Sequence, residues 1–393
     1  MNYKKLPDIC NITTGKLDAN AAVAGGAYPF FTCAPEPTTI DSFAFDCDAI
    51  LLAGNNAQGN FHITRYNGKF NAYQRTYVIT AKDGYNIDFI KYMLELSLTH
   101  FKSQAQGSQT KFLTIQILNS FSIPDIPLEE QIKTVSPLVA LDKKINNNNI
   151  ACAELETMTK TLYDYWFVQF DFPDENGKPY RTSGGEMEWC PRLKKEIPKG
   201  WKTGNLYDIA DYINGLACQN YRPAEGDSSL PVIKIREMHE GISADTESVS
   251  ANIPTKYIIE DGDILFSWSA TLEVMYWTGG KGGLNQHIFK VIPKEDYPKE
   301  YVYLQLSTYI INFVKMAEAR KTTMGHITSD HMQQSRIVLP PTPVLRQFHA
   351  SIAATHDRII RCKKENRELS QLRDWLLPML MNGQALLELK GVK

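Results

Sequence analysis

Residues 344–377 read VLRQFHASIAATHDRIIRCKKENRELSQLRDWLL, and apolar side chains recur in this stretch at helical spacing. Leu345, Phe348, Ile352, Thr355 and Ile359 follow one another at intervals of three or four residues. This spacing is typical of a helix that buries one narrow face against a partner helix. The pattern is longer than most globular helices, which favours a helix pair that extends beyond the globular parts. An ordinary amphipathic helix on a core of its own is the alternative.

A similar pattern at residues 128–166 predicts the partner helix. Four positions of the two patterns match at one offset of 214 residues: Glu154 with Glu368, Leu155 with Leu369, Met158 with Leu372, and Leu162 with Leu376. Pro137 lies inside the first pattern and is expected to kink the helix or move its start. Asn366 would fix the register of the pair at some cost in stability. The residues expected at this helix-pair interface are Ile145, Cys152, Leu155, Met158, Leu162, Ile352, Ile359, Asn366, Leu369 and Leu376.

The globular parts of the chain are also duplicated. Leu6-Pro-Asp8-Ile9 is followed by Gly15, and Leu206-Tyr-Asp208-Ile209 is followed by Gly215, at an offset of 200 residues. Because the helices repeat at 214 and the openings at 200, the second copy carries about fourteen extra residues inside its globular part. Buried strands are expected at 48–52 and 263–266, and each runs into a polar loop.

The predicted fold is therefore α+β, with a pseudo-two-fold internal repeat. Two similar mixed α/β domains are separated by an antiparallel coiled coil of two long helices. Turn residues dominate 167–199 and predict a linker. The expected segments are domain 1 (1–127), the first long helix (128–166), the linker (167–199), domain 2 (200–343), and the second long helix with a C-terminal tail (344–393).

Composition and motifs favour a non-enzymatic protein without a metal or cofactor of its own. The 393-residue chain has a formal net charge of −2, and its seven cysteines never form a CxxC pair. No histidine falls in an HExxH spacing, and no phosphate-binding GxxxxGK[ST] occurs. Asp174, Glu175 and Lys178 resemble a nuclease group only superficially, because they lie in the expected linker. Without a long apolar run or a signal-peptide core, a cytoplasmic location and no membrane association are expected.

The whole chain resembles the specificity (S) subunit of type I restriction–modification enzymes. The resemblance rests on the duplicated openings and on three junctions: Ile197-Pro-Lys-Gly-Trp201, Pro127-Leu-Glu-Glu-Gln131 and Pro343-Val-Leu-Arg-Gln347. It implies a subunit whose two target-recognition domains each read half of a split, asymmetric duplex DNA site. Its helices would dock two methyltransferase subunits, and restriction or motor subunits would join through these. S-adenosylmethionine and ATP are expected on the partner subunits.

A physical argument leads to the same task. Two copies of one module, related by a pseudo-two-fold axis, match the symmetry of duplex DNA. A helix of about 35 residues spans roughly 50 Å, which suits half-sites about one DNA turn, or ~34 Å, apart. A tandem-domain coiled-coil adaptor without DNA binding is the alternative function.

Candidate DNA-reading residues lie in the polar loops, where amide, guanidinium and hydroxyl groups can match the hydrogen-bonding edges of bases. Each residue, taken singly, is also compatible with an ordinary exposed loop position. Residues 1–127 hold ten basic and ten acidic side chains, so phosphate contacts would need local clusters or backbone N–H groups. The candidates in the first copy are Asn55, Asn56, Gln58, Asn60, Arg65, Gln74, Arg75, Gln104, Gln106, Gln109 and Lys111. Those in the second copy are Lys234, Arg236, Ser269, Thr271, Gln286, His287, Arg320, Lys321, Thr322 and Thr323.

Overall fold

The chain folds into two compact units. The computed structural model describes residues 2–107, 109–269, 271–319, 327 and 329–384. The first unit takes the chain up to Lys144 and again from Leu369, and the second runs from Ile145 to Glu368. Both units mix helices and strands, which confirms the predicted α+β class. None of the described helices combines the length and the apolar character that a membrane crossing requires.

The first unit is built on a six-stranded sheet. Its elements are β1 (Tyr3–Lys5), α1 (Leu6–Ile9), β2 (Cys10–Thr14), β3 (Tyr28–Phe31), β4 (Thr38–Ile40), β5 (Phe45–Ala53), β6 (Asn55–Asn56), β7 (Ile63–Ala72), β8 (Thr76–Ala81), α2 (Ile87–Leu96), α3 (Leu98–Gln104), β9 (Lys111–Phe112), α4 (Ile115–Ser120), β10 (Ser122–Pro124) and the start of α5 (Leu128–Tyr163). The sheet order is β2–β8–β5–β7–β3–β4, while β1 pairs with β10 and β6 with β9.

The second unit holds two four-stranded sheets. After α5 and its π-helical continuation Asp164–Val168 come β11 (Met187–Cys190), β12 (Lys195–Pro198), β13 (Lys202–Gly204), β14 (Ala210–Asn214), β15 (Ser229–Ile233), α6 (Ile235–Glu240), β16 (Ser248–Ser250), β17 (Ile258–Ile259), β18 (Ile264–Ser267), β19 (Glu273–Tyr276), β20 (Gly282–Leu284), β21 (Ile288–Pro293), α7 (Lys299–Ala319), α8 (Ser329–Gln333), β22 (Ile337–Leu339) and α9 (Thr342–Met381). The sheet orders are β14–β21–β18–β19 and β16–β15–β20–β17.

The internal repeat is visible in the strand order. Strands β2–β8–β5–β7 of the first unit correspond to β14–β21–β18–β19 of the second, neighbour for neighbour. The antiparallel pair β1·β10 has its counterpart in β13·β22. The second four-stranded sheet, β16–β15–β20–β17, matches the order β4–β3–β7–β5 of the first unit. The pairs β15·β20 and β3·β7 are parallel, and the flanking pairs are antiparallel in both copies. The first unit keeps these strands in one six-stranded sheet, whereas the second divides them between two sheets.

The repeated opening motif has one physical role in both units. Its apolar positions are all 0% exposed: Leu6, Ile9, Leu206 and Ile209. A Cβ atom on Gly15 would lie 1.8 Å from the carbonyl oxygen of Ala72, and one on Gly215 would lie 2.1 Å from that of Asn285. Since no side chain fits at these distances, both glycines are required where the opening strand ends against its sheet.

The structure adds a repeated lysine that the sequence comparison missed. Lys82 donates from Nζ to the carbonyl oxygen of Pro7 at 2.7 Å, and Lys294 donates in the same way to Tyr207 at 2.6 Å. Each lysine thereby ties the end of a core strand, β8 or β21, to the opening turn of its own unit.

In the first unit, α5 begins at a buried glutamine. Gln131 is 0% exposed; its Nε2 donates to the carbonyl oxygen of Ile126 at 2.8 Å, and its Oε1 accepts the N–H of Asn86 at 2.8 Å. The helix begins at Leu128 and continues through Pro137, so the proline does not move its start. A buried amide at the first turn thus fixes the helix against the start of α2.

Asp142 joins three helices of the first unit. Its carboxylate accepts the hydroxyl proton of Tyr92 on α2 at 2.7 Å and pairs with Arg373 on α9 at 3.1 Å. The end of α9 packs into the same core, where Leu380 and Met381 are buried. Both long helices therefore contribute side chains to this unit.

In the second unit, α5 and α9 contact each other in antiparallel order. Asn148 donates to Asn366 at 2.9 Å, whereas Tyr163, later on α5, meets Phe348, earlier on α9, with ring centroids 6.4 Å apart. Knobs-into-holes packing, and with it the coiled coil, stays a prediction.

Burial along the helices corrects one predicted position of the helix-pair interface. Cys152, Ile352 and Ile359 are buried. Met158 is 52% exposed, so its assignment to the interface is wrong, and the neighbouring Thr159, 7% exposed, is buried instead. The other predicted interface residues are partly buried: Ile145, Leu155, Leu162, Asn366, Leu369 and Leu376.

The segment predicted as a linker, 167–199, differs from the expectation of an irregular connection. Phe167, Phe170 and Phe172 are buried in the core of the second unit, and β11 pairs with β12 in a hairpin. Phe172 stacks on Trp201, with ring centroids 5.0 Å apart. The segment therefore belongs to the packed core of this unit, because its aromatic side chains outweigh its turn residues. The domain boundaries drawn from the sequence stay predictions.

Candidate DNA interface

Polar side chains gather where strand β5 ends in the first unit. The antiparallel pair β6·β9 places Asn56 opposite Lys111. Lys102, at the end of α3, donates from Nζ to Oδ1 of Asn60 at 2.7 Å. These contacts join the loop after β5 to the loop after α3. We call residues 54–60, 102–107 and 109–111 the first polar edge.

The first polar edge has a shaped backbone and exposed amides. Oδ1 of Asn56 accepts the N–H groups of Gln58 and Asn60 at 2.9 and 3.1 Å, so this side chain supports the loop. Oδ1 of Asn55 is buried and has no hydrogen-bond partner among the described residues. The exposed candidates on this edge are Gln58, Asn60, Gln104, Gln106 and Gln109, and Lys111 is half-buried.

The turn between β7 and β8 adjoins this edge. The carbonyl oxygen of Arg75 accepts the N–H of Gly54 at 2.9 Å, which places Gln74 and Arg75 next to the end of β5. Both side chains are exposed, and Gln74 donates to Oδ2 of Asp18 at 3.3 Å. The structure thus brings together the first-copy candidates, with one exception.

The exception is Arg65, which lies away from this edge and pairs with two carboxylates. Its guanidinium makes a bidentate contact with Asp48, at 2.9 and 2.6 Å, and a further one with Asp88. The hydrogen bonds that its guanidinium donates to Asp48 and to Asp88 raise the pKa of Arg65 further. Two carboxylates pair with this arginine, and its base-reading role stays a prediction.

In the second unit, polar groups gather at the equivalent end of the equivalent sheet. Strand β18 ends at Ser267, whose hydroxyl donates to the carbonyl oxygen of Thr271. The indole of Trp268 lies 5.6 Å from the ring of His287, centroid to centroid, and its Nε1 donates to Oδ1 of Asn214 at 3.1 Å. We call Trp268, Ser269, Thr271, Gln286 and His287 the second polar edge.

Two basic candidates of the second copy lie elsewhere and are paired. Nζ of Lys234 lies 2.5 Å from Oε1 of Glu247. Arg236 donates from Nε and Nη2 to Oε1 of Glu237, a residue that is 1% exposed, at 3.0 and 2.7 Å. Both residues follow β15 in the other sheet, away from the second polar edge, and their role as DNA-reading residues stays a prediction. Arg320, Lys321, Thr322 and Thr323 lie outside the described residues.

Sequence reasoning missed three polar residues that the structure brings to these edges. Lys102 stands in the last turn of α3, just before the glutamine-rich loop, and that position was the available signal. Trp268 lies within the polar loop that follows β18. Asn214 ends β14 directly before the repeated Gly215, so its equivalent position in the first copy is Thr14.

The side chains on these edges are of types that can recognise bases. Amide side chains offer a paired donor and acceptor that match adenine, and an aromatic ring such as Trp268 can pack on a base or a sugar. Within the part of the chain that the structure describes, no three His, Cys, Asp or Glu residues are grouped so that they could hold a metal ion.

Comparison with known proteins gives a family match over most of the chain. Residues 1–157 and 198–371 match the family described as type I restriction modification DNA specificity domain. The Escherichia coli type I restriction enzyme EcoDI specificity subunit is 33% identical over 227 residues, which are 54% of this chain and 49% of that protein. The chain thus spans about half the length of this relative.

Two further relatives match over longer stretches. The MjaIX specificity subunit of Methanocaldococcus jannaschii is 23% identical over 79% of this chain and 72% of that protein. The HindI specificity subunit of Haemophilus influenzae is 23% identical over 72% and 74%. A crystal structure of the type I restriction–modification S subunit from M. genitalium has the same fold, with a TM-score of 0.59 and 14% identity, covering 96% of this chain and 95% of that one.

Proposed function

We propose a function from one premise: the chain belongs to the type I restriction modification DNA specificity family. It acts as the specificity subunit of such a system, reads duplex DNA, and leaves catalysis to partner subunits. The family match supports this proposal, because it covers both copies of the repeat.

The observation that carries the proposal is the equivalence of the two polar edges. Each edge follows the same strand of the same four-strand order, β5 in the first unit and β18 in the second. Their side chains differ, with exposed glutamines on the first edge and Trp268 and His287 on the second. Two related readers with different side chains fit a split site whose half-sites differ in sequence.

Partner subunits complete the function in this proposal. The long helices α5 and α9 dock two methyltransferase subunits, through which restriction or motor subunits join. The methyltransferase subunits would supply S-adenosylmethionine chemistry. The slightly negative net charge of −2 supports this division of labour, since such a chain gains little affinity from DNA phosphates alone.

Methylation sequencing of cells tests the proposal. The methylated motif should depend on the gene, and Gln58→Ala together with Gln109→Ala should relax or abolish methylation at one half-site only. Gln116→Ala is the matched control, because this glutamine is also exposed but lies on α4, outside the first polar edge. A methylated motif that is unchanged in the double variant, or that changes in both half-sites, would contradict the proposal of two independent DNA-reading domains.

Salt dependence separates DNA reading from the adaptor alternative. Duplex DNA binding in the presence of methyltransferase subunits should weaken as salt rises, because phosphate contacts release counterions. Lys102→Ala should remove about one phosphate contact. The slope of log affinity against log salt concentration should then be shallower by roughly 0.9. An assembly that binds its protein partners but no duplex at low salt would favour the adaptor.

A further inference from the structure

A cavity of about 230 Å³ lies inside the second unit, between α5, α7, α9 and β19. Its walls are largely apolar and aromatic, with Tyr303 and Leu304 from α7 and Ile352 and Ile359 from α9. Ile311 also lines the cavity and is 60% exposed, so the opening is on this side. Since apolar protein cavities of about 150 Å³ bind benzene, this one has room for a molecule of one or two rings.

Two buried polar side chains line this cavity without hydrogen-bond partners. His356 is 8% exposed, and neither ring nitrogen has a partner among the described residues. Tyr276 is 3% exposed, and its hydroxyl is likewise unpartnered within that part of the chain. Buried polar atoms are nearly always hydrogen-bonded, so two such side chains at one cavity point to an occupant that can hydrogen-bond with both.

The nearby charges do not satisfy His356. Oε1 of Glu300 lies 3.6 Å from its Nδ1, which is longer than a hydrogen bond. Oε2 of Glu300 lies 3.0 Å from Nδ1 of His349, and a carboxylate oxygen of Asp357 is 3.9 Å from His356. Burial lowers the pKa of His356 despite the raising effect of Glu300. A neutral imidazole presents one N–H donor and one acceptor nitrogen.

The polar groups are held on a rigid aromatic wall. The ring of Tyr276 meets that of His356 edge to face, with centroids 4.3 Å apart, and lies 4.1 Å from the ring of Tyr303. Flat ring surfaces favour a planar ligand. Three charged side chains also line the cavity, but each has a partner: Glu156 pairs with Lys363, Lys160 with Asp164, and Glu300 with His349. A charged ligand is therefore disfavoured, because the remaining walls are largely apolar and would not replace its lost hydration.

We propose that this cavity binds a small, uncharged, planar heteroaromatic molecule that carries both a hydrogen-bond donor and an acceptor. The imidazole of His356 and the hydroxyl of Tyr276 recognise its polar edge, and Ile352, Ile359 and Leu304 cover its ring faces. The residues that line this cavity belong to neither polar edge. The proposed binding is therefore additional to the DNA-reading function. A molecule bound there contacts α5, α7 and α9 together.

Calorimetric titration of the full chain with three bicyclic probes tests this assignment. 7-Azaindole offers a donor and an acceptor, indole offers only a donor, and tryptamine adds a positive charge. We expect 7-azaindole to bind roughly tenfold more tightly than indole, the equivalent of one well-placed hydrogen bond. Tryptamine should bind more weakly than indole, and indole should compete with 7-azaindole for one site.

Matched histidine variants locate the site. His356→Phe should weaken 7-azaindole binding about tenfold while changing indole binding little. His349→Phe is the control, because the same substitution on the same helix, also beside Glu300, lies outside the cavity lining. It should leave both affinities unchanged, and Ile359→Phe should block both probes by filling the cavity.

Three results would overturn the proposal. The first is no saturable binding of 7-azaindole to the wild-type chain at concentrations up to about 10 mM, the range of weak fragment binding. The second is an equal effect of His356→Phe and His349→Phe. Tighter binding of tryptamine than of indole would be the third, since it would assign the site to a cation held by Glu300. The competition measurement on the wild-type chain needs no variant to fold.

Discussion

One carboxylate ties the turn before β18 to helix α9, and its removal should destabilise the second unit. Asp261 accepts hydrogen bonds from Nη1 of Arg367 at 2.9 Å and from the N–H of Gly280 at 2.7 Å. It also pairs with Lys364 at 3.2 Å, and its side chain is 18% exposed. Buried hydrogen bonds to charged groups contribute about 1.5–3 kcal/mol, whereas exposed pairs contribute ~0–1 kcal/mol. For this partly shielded group, Asp261→Ala should lower the free energy of unfolding by about 2–3 kcal/mol.

A double-mutant cycle measures the ion pair itself. Arg367→Ala alone should cost about 1–2 kcal/mol, because Lys364 and the Gly280 N–H remain on the carboxylate. The double variant should cost less than the sum by roughly 1 kcal/mol, the coupling expected of residues in contact. Chemical denaturation gives the energies, and amide hydrogen exchange at Gly280 should accelerate in Asp261→Ala.

A neighbouring ion pair provides the control. Lys281 and Glu260 lie 3.0 Å apart but are 68% and 57% exposed, so Lys281→Ala should change stability by less than about 0.5 kcal/mol. Equal costs for Lys281→Ala and Asp261→Ala, or full additivity in the cycle, would refute the reasoning from burial.

The same group makes a signed pH prediction. Burial alone would raise the pKa of Asp261, but hydrogen bonds from Arg367, Gly280 and Lys364 outweigh it and lower that pKa. A carboxyl whose folded pKa is depressed contributes stability that is present above its unfolded pKa, near 3.9. The stability difference between wild type and Asp261→Asn should therefore be constant near neutral pH. It should shrink as pH falls below about 4 and on through the lowered folded pKa.

Three further predictions follow from burial and packing. Ile359 is 4% exposed, so Ile359→Ala should lower the free energy of unfolding by about 2–5 kcal/mol. Met158 is 52% exposed, so Met158→Ala should change it by no more than about 0.5 kcal/mol. Chemical denaturation measures both, and equal losses of stability would contradict the observed burial. Gly215→Ala should cost at least about 1–3 kcal/mol, because its Cβ would lie 2.1 Å from a carbonyl oxygen; an unchanged thermal midpoint would refute this. Exchanging residues 1–127 for those of a relative should change one half of the methylated motif, read by methylation sequencing, and a change in both halves would refute modular reading.

The repeat could be read from the sequence because its residues obey local rules. Leu6 and Leu206 are fully buried, and Gly15 and Gly215 each lie against a backbone carbonyl, so packing admits few other residues at these positions. The duplicated β5 and β18 segments were visible for the same reason, as apolar runs that end in polar loops.

The candidate interface was less predictable because side-chain availability depends on distant partners. The residues next to Arg65 in the sequence do not indicate that Asp48 and Asp88 will both contact its guanidinium. Lys234 and Glu247 likewise meet only because β15 and β16 pair. A loop composition can therefore predict where polar groups gather, but the fold decides which cations remain unpaired.

The phase of α5 shows a second limit. The spacing pattern placed Met158 at the helix-pair interface, yet the buried positions of α5 in the second unit are Asn148, Cys152, Thr159 and Tyr163. Two of these are polar and one is a tyrosine, so a rule that follows only aliphatic residues misses them. Segment 167–199 was predicted as a linker because its turn residues outnumber its aromatic residues. The few aromatic side chains are nevertheless buried and place the segment in the core.

The run Asn146–Asn149 illustrates how burial gives one polar residue a distinct role. Of these four asparagines, Asn148 alone is buried, at 6% exposure. Its Nδ2 donates to Oδ1 of Asn366 at 2.9 Å and to Oε2 of Glu365 at 2.8 Å. Sliding α9 by one turn along α5 would leave this amide facing other side chains, at a cost of about 1–3 kcal/mol for an unsatisfied buried group. An apolar pair would pack at either register, so the amide contact selects one alignment of the helices in the second unit.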